Sequence, residues 1–150
     1  MDRVADQLRN WTQNPLKHLK RCHTIRVKET HSMQLRPHQQ RAFDAMQEHD
    51  CGQVIIPTGG GKTYIMIADA LHRAAQGQTI VVVAPRILLA NQLCEEFMEH
   101  ISGTWTHVCH AHSGETHYFS STKPEKIALF NDTARAASES CIIFTTYHSL

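Results

Sequence analysis

Between positions 57 and 63 the chain reads Pro57-Thr58-Gly59-Gly60-Gly61-Lys62-Thr63. Three flexible residues, one cation and one hydroxyl sit there between two apolar runs. Glycines let backbone N–H groups turn inward around an anion, where a Cβ would obstruct close approach. A helix that begins at the end of such a loop adds the partial positive charge of its free amides. Lys62 brings a full charge within reach of the β- and γ-phosphates of a nucleoside triphosphate. The Thr63 hydroxyl is placed to ligate the Mg²⁺ that accompanies them. This is the pattern of a phosphate-binding loop, with Ile56 standing where GxxxxGK[ST] opens on glycine. A glycine-rich turn without a ligand is the plainer reading. Gly61, Lys62 and Thr63 in order at a strand-to-helix junction argue against it.

The twelve histidines raise a second chemistry. "THVCHAHSGETH" (106–117) offers His107, Cys109, His110, His112 and His117 as zinc ligands. Zn²⁺ takes four N or S ligands in a tetrahedron, usually as two short-spaced pairs. On a strand, His107 and Cys109 share one face while His110 and His112 share the other. That divides the set, and ordinary strand and loop histidines are the preferred reading. Cys22 and His23 make a poor nucleophilic pair, because neighbours in sequence rarely face one another. Trp11, Trp105, Phe119 and Phe130 form no evenly spaced stacking stripe and read as packing residues.

The elements that must position the loop alternate along the chain. "RPHQQRAFDAMQEH" (36–49) predicts a helix with Pro37 in its first turn. "CGQVIIP" (51–57) predicts a short strand, and "KTYIMIADALHRAAQ" (62–76) a helix with Ile67, Leu71 and Ala74 on one face and Gly77 as its C-cap. "TIVVVAP" (79–85) reads as a strand buried on both faces. "RILLANQLCEEFMEHI" (86–101) repeats Leu89, Leu93 and Phe97 at helical spacing. "THVCHA" (106–111) is a third strand, "KPEKIALFNDTARAAS" (123–138) a helix and "SCIIFTTY" (140–147) a fourth strand. Such alternation predicts an α/β fold built from βαβ units around a parallel sheet.

The chain has 150 residues, enough for one domain with its own core, and 41% hydrophobic residues. No apolar run is long enough to span a bilayer, and "MDRVADQLRNW" lacks a signal peptide's apolar segment. Five scattered cysteines without a CxxC pair suggest reduced thiols and an intracellular, soluble protein, cytoplasmic or nuclear. Cys94 and Cys141 lie in apolar patterns and read as core. The net charge of +1 is unevenly spread, since residues 1–41 hold nine Lys/Arg against three Asp/Glu. A basic leading segment fits contact with a polyanion, and equally a solvated arm.

Three further stretches carry a resemblance. "LRPHQ" (35–39), "VVVAPRILLANQ" (81–92) and "TTYHSL" (145–150), in order around "PTGGGKT", resemble the superfamily 2 helicases and translocases. The likeness is to the DEAD/DEAH-like branch that includes type III restriction motor subunits. "HSGE" (112–115) is reminiscent of a weaker segment of the same family. The resemblance covers residues 34–150 and implies a RecA-like P-loop domain, preceded by a basic extension over 1–33. It implies ATP and Mg²⁺ as cofactors, with Gln39 reading the adenine edge and Arg36 supporting that pocket. Pro57, Thr58 and Gly59 to Gly61 would cradle phosphates that Lys62 neutralises, and Thr63 would hold Mg²⁺. Pro85, Arg86 and Thr146 would contact the backbone of a nucleic-acid strand, DNA or RNA. Leu88, Leu89 and Leu93 read as core.

The family couples ATP hydrolysis to movement along nucleic acid through two such domains. No Asp-Glu dipeptide occurs in the sequence, so the family's DExH/D segment has no counterpart here. The expectation is therefore the N-terminal part of the first RecA-like domain, with the second expected in cis and no membrane partner. Two other readings stay open: an ATP- and nucleic-acid-binding module without hydrolysis, and a small P-loop phosphotransferase. The phosphotransferase would have no reason to carry "LRPHQ" before the loop and "APR" and "TTYHSL" after it.

Overall fold

A computed structural model describes residues 33–101 and 106–149. Residues 1–32 of the expected basic extension, with Trp11, Cys22 and His23, lie outside the described residues, as does Trp105. Among these residues the order of elements is helix α1 (Pro37–Glu48), helix α2 (Lys62–Ala74), strand β1 (Thr79–Ala84), helix α3 (Ile87–His100), strands β2 (Thr106–Ala111) and β3 (Phe119–Ser120), helix α4 (Pro124–Ala136) and strand β4 (Ser140–Thr146). The strands form one sheet, β1-β4-β2-β3, and every pairing is parallel.

The sequence explains the layering. All seven residues of β4 and all six of β2 are buried, as parallel strands covered on both faces must be. On one face, Ile142 and Phe144 of β4 join Val82 of β1, Ile67 of α2 and Leu93, Cys94 and Phe97 of α3. Phe97 and Phe144 meet edge to face at 5.3 Å, a favoured aromatic geometry. On the other face, Cys141 and Ile143 pack against Phe130 and Ala134 of α4, where Phe119 stacks on Phe130 at 4.8 Å. Cys94 and Cys141 are core residues, as their patterns predict. Helix α1 lies outside α2 and is fastened to it by Asp69, which accepts from Arg73 Nε at 3.0 Å and Gln47 Nε2 at 2.9 Å.

Three expectations fail. Residues 51–57 form no strand. An extended run becomes a strand only where a neighbour completes its ladder, and none does so here among the described residues. Val54 and Ile55 are left 42% and 88% exposed. Strand β1 is not buried on both faces: it stands at the edge of the described sheet, where α4 meets it at its first residue, the Thr79 hydroxyl donating to Asn131 Oδ1 at 2.7 Å, and Val81 is half exposed. Leu88 and Leu89 are not core, because the inward stripe of α3 runs through Ala90, Leu93, Cys94 and Phe97. Leu88 falls on the opposite side of that helix.

Candidate functional site

The glycine loop is built as an anion cradle requires. Gly59 and Gly61 have φ of +80° and +78°, a left-handed conformation that L residues with a Cβ adopt only under strain. Gly60 sits between them, and a Cβ there would collide with the Ile56 side chain. The Gly60 N–H bonds to the Pro57 carbonyl at 3.0 Å, which folds the loop back on itself. Gly61 then serves as N-cap of α2 and offers no side-chain cap. The first N–H groups of a helix have no intrahelical partner, so this terminus presents uncapped donors beside the exposed Lys62 and half-buried Thr63. Asp69, the acidic residue of α2, is already committed to Arg73 and Gln47.

Helix α1 touches the loop through its first turn. Gln39 is buried, accepts from the Arg36 N–H at 2.8 Å through Oε1 and donates from Nε2 to the Gly60 carbonyl at 3.1 Å. The first bond is the backward half of a capping box. Gln39 therefore uses one donor and one acceptor inside the protein and keeps one N–H and one lone pair for a ligand. Arg36 is the exposed N-cap of α1. His38 reaches the same carbonyl, with Nε2 at 3.0 Å from the Gly60 oxygen.

Pro85, Arg86 and Thr146 come together at a second place. Strands β1 and β4 run level in parallel register, Ala84 beside Thr146, so both chains leave the sheet at the same carboxyl edge. In open α/β sheets that edge is where ligands bind. Pro85, Arg86 and Thr146 line an open cleft of about 740 Å³ there, with Ser113, Thr122 and Ser149. Arg86 is exposed, and as N-cap of α3 it carries no side-chain cap, so that helix too offers free donors. Thr146 is buried, with its hydroxyl 3.1 Å from that of Ser149.

His107 and His110 occupy opposite faces of β2. His107 faces α4, bonded to Glu139 and edge-on to Phe130. His110 lies on the α3 face, stacked between Tyr118 and Phe144, with Nδ1 2.9 Å from Nε2 of His112. The Gly114 N–H donates to His112 Nδ1 at 3.2 Å. His112 therefore carries its proton on Nε2 and donates it to His110 Nδ1. The His110 proton is then on Nε2, buried and without a hydrogen-bond partner among the described residues. Burial first, and His112 second, push the His110 pKa down to about 4. Burial likewise lowers that of His112. The alternation of the strand separates the candidate zinc ligands, with His107 held by Glu139 on one face and His110 by His112 on the other.

Sequence reasoning missed some of these residues. His38 lay in view inside "LRPHQ", and Ser113 and Ser149 inside "HSGE" and "TTYHSL". Thr122 carried no local signal, since only the pairing of β3 beside β2 brings its loop to the cleft.

Comparison with solved structures finds the same fold in two restriction enzymes. One is a nuclease-deletion mutant of the Type ISP restriction-modification enzyme LlaGI in complex with a DNA substrate mimic. It has a TM-score of 0.65 and 20% identity, over 77% of this chain and 13% of that one. The other is the ATP-dependent Type ISP enzyme LlaBIII bound to DNA, with a TM-score of 0.61 and 20% identity, over 82% of this chain and 9% of that one. This chain thus spans a small part of either enzyme's length. Comparison with curated protein sequences finds no match. The family profile described as "Type III restriction enzyme, res subunit" matches residues 32–150, a span holding the glycine loop, Arg86 and the end of β4 alike. The four parallel strands flanked by helices are a RecA-like helicase arrangement, and the chain belongs to the superfamily 2 helicase-like family of type III restriction res subunits.

Proposed function

We propose that this chain binds ATP with Mg²⁺ at the glycine loop and a nucleic-acid strand at the carboxyl-edge cleft, as the ATP-binding part of a DNA-translocating restriction enzyme. The observation that carries the reading is the uncapped N-terminus of α2 beneath two left-handed glycines, with Lys62 and Thr63 as its first two residues. Its donors, a lysine charge and a hydroxyl fit a triphosphate with its metal ion. ATP brings the hydrolysable phosphoanhydride. The chain's residues bind and orient it: Lys62 and the loop amides take the phosphates, Thr63 offers the oxygen for Mg²⁺, and the free half of the Gln39 amide meets the base. Arg86 and the N-terminus of α3 supply phosphate contacts at the cleft. DNA is favoured as the strand because both similar structures contain DNA or a mimic of it. The pairing of Asp69 with Arg73 favours, as a second reading, binding without hydrolysis by this chain, because α2 then spares no carboxylate for the metal.

Calorimetry with Mg-ATP tests the site. Lys62→Ala is expected to weaken binding about tenfold to a hundredfold, the weight of a charge-assisted hydrogen bond. Equal affinity in parent and variant would overturn the assignment. Turnover by the parent protein would remove the second reading.

A further inference from the structure

A loop that wraps an anion must turn N–H groups in and carbonyls out, because a carbonyl oxygen repels phosphate. Glycine, which permits that arrangement, also permits the reverse flip of the peptide plane. Something outside the loop must therefore hold it. The Gly60 carbonyl is the group so held, accepting from Gln39 Nε2 at 3.1 Å and His38 Nε2 at 3.0 Å. A carbonyl can only accept, so His38 carries its proton on Nε2. Both donors sit in the first turn of α1, which Asp69, Gln47 and Arg73 fasten to the helix behind the loop. A carbonyl has two acceptor positions, and α1 fills both.

We propose that His38 is a positioning residue of the phosphate loop, which together with Gln39 draws the Gly60 carbonyl toward α1 so that the loop amides are set for a triphosphate before it arrives. The proposal rests on the nucleotide reading above. It assigns His38 to the phosphates and not to the base, although its neighbour in sequence is the expected base reader. It also ties the two ends of the nucleotide together, since Gln39 bonds Gly60 with one part of its amide and retains another.

The test compares Mg-ATP, inorganic tripolyphosphate with Mg²⁺, and adenosine by calorimetry on the whole chain. His38 is exposed, so His38→Phe keeps a ring and removes the donor without disturbing the core. His38→Phe is expected to weaken ATP and tripolyphosphate alike by about threefold to tenfold, the weight of one hydrogen bond, and to leave adenosine unchanged. His38→Gln, which restores an N–H donor, is expected to recover most of the affinity. A His38→Phe protein that binds tripolyphosphate as the parent does overturns the proposal, and so does failure of His38→Gln to recover affinity. Loss of adenosine binding would move His38 to the base and also overturn it. A parent that binds neither ATP nor tripolyphosphate overturns the nucleotide reading itself.

Discussion

Ser138 holds at the end of α4 the place that Gly77 holds at the end of α2. In each case the residue has a left-handed backbone, with φ of 57° for Ser138 and 72° for Gly77. Its N–H bonds three residues back, to Arg135 or Ala74, at 2.9 Å. The next N–H, of Glu139 or Gln78, reaches five residues back to Ala134 or Arg73. The same closing motif satisfies the last carbonyls of both helices, once with the residue that suits it and once with a strained one.

Ser138→Gly is therefore expected to stabilise the protein. The left-handed conformation costs a residue with a Cβ about 1–2 kcal/mol, and glycine's extra freedom in the unfolded chain returns roughly half of that. A net gain of about 0.5–1 kcal/mol should appear as a higher denaturation midpoint in urea with an unchanged slope. A lower midpoint would show that the serine hydroxyl makes up for the strain.

The buried histidines make stability depend on acidity. Both His110 and His112 have lowered pKa values in the folded state. As pH falls below the ordinary value of 6.5, the unfolded chain takes up protons that the folded one refuses. Their contribution is intact above about pH 6.5 and is lost as pH falls toward the His110 value of about 4. The loss amounts to about 3 kcal/mol at most for His110. His110→Phe keeps a ring between Tyr118 and Phe144 and is expected to flatten this part of the profile. Urea titrations of parent and variant from pH 7.5 to pH 4.5 check it, and parallel profiles would refute it.

At the cleft, Arg86→Ala is expected to lower DNA affinity by a similar factor for every sequence tested, since a phosphate contact carries no base information. The slope of log affinity against log salt should fall by about 0.7 for a single strand, or about 0.9 for a duplex, because the variant neutralises one phosphate fewer. Fluorescence anisotropy at several salt concentrations measures both. A weakening confined to one sequence would place Arg86 on a base edge.

What the sequence disclosed was local. The glycine loop, Lys62, Thr63 and the first turn of α1 are defined by neighbours within a few positions, and their types and order are enough to place them. Helices α2 and α3 declared themselves through their apolar stripes. The errors concern relations between distant segments. Nothing in "CGQVIIP" tells whether another strand will lie beside it, and nothing in "TIVVVAP" tells that this strand will end the described sheet. Thr122 reaches the cleft only through the pairing of Cys109 with Phe119. The left-handed turn at Ser138 was hidden because serine usually marks a helix start or an ordinary turn.

The position of β4 bears on how the sheet can be made. This strand lies between β1 and β2, yet it is the latest of the four in the chain, so Thr79 waits for Cys141 and His107 waits for the same residue. During synthesis neither earlier strand can acquire that central neighbour until residues 140–146 leave the ribosome. Such distant pairings are slow to form, and their apolar surfaces stay open meanwhile. The nascent protein therefore passes through a long interval of vulnerability to clumping, and chaperone supply and growth temperature should govern its yield in soluble form.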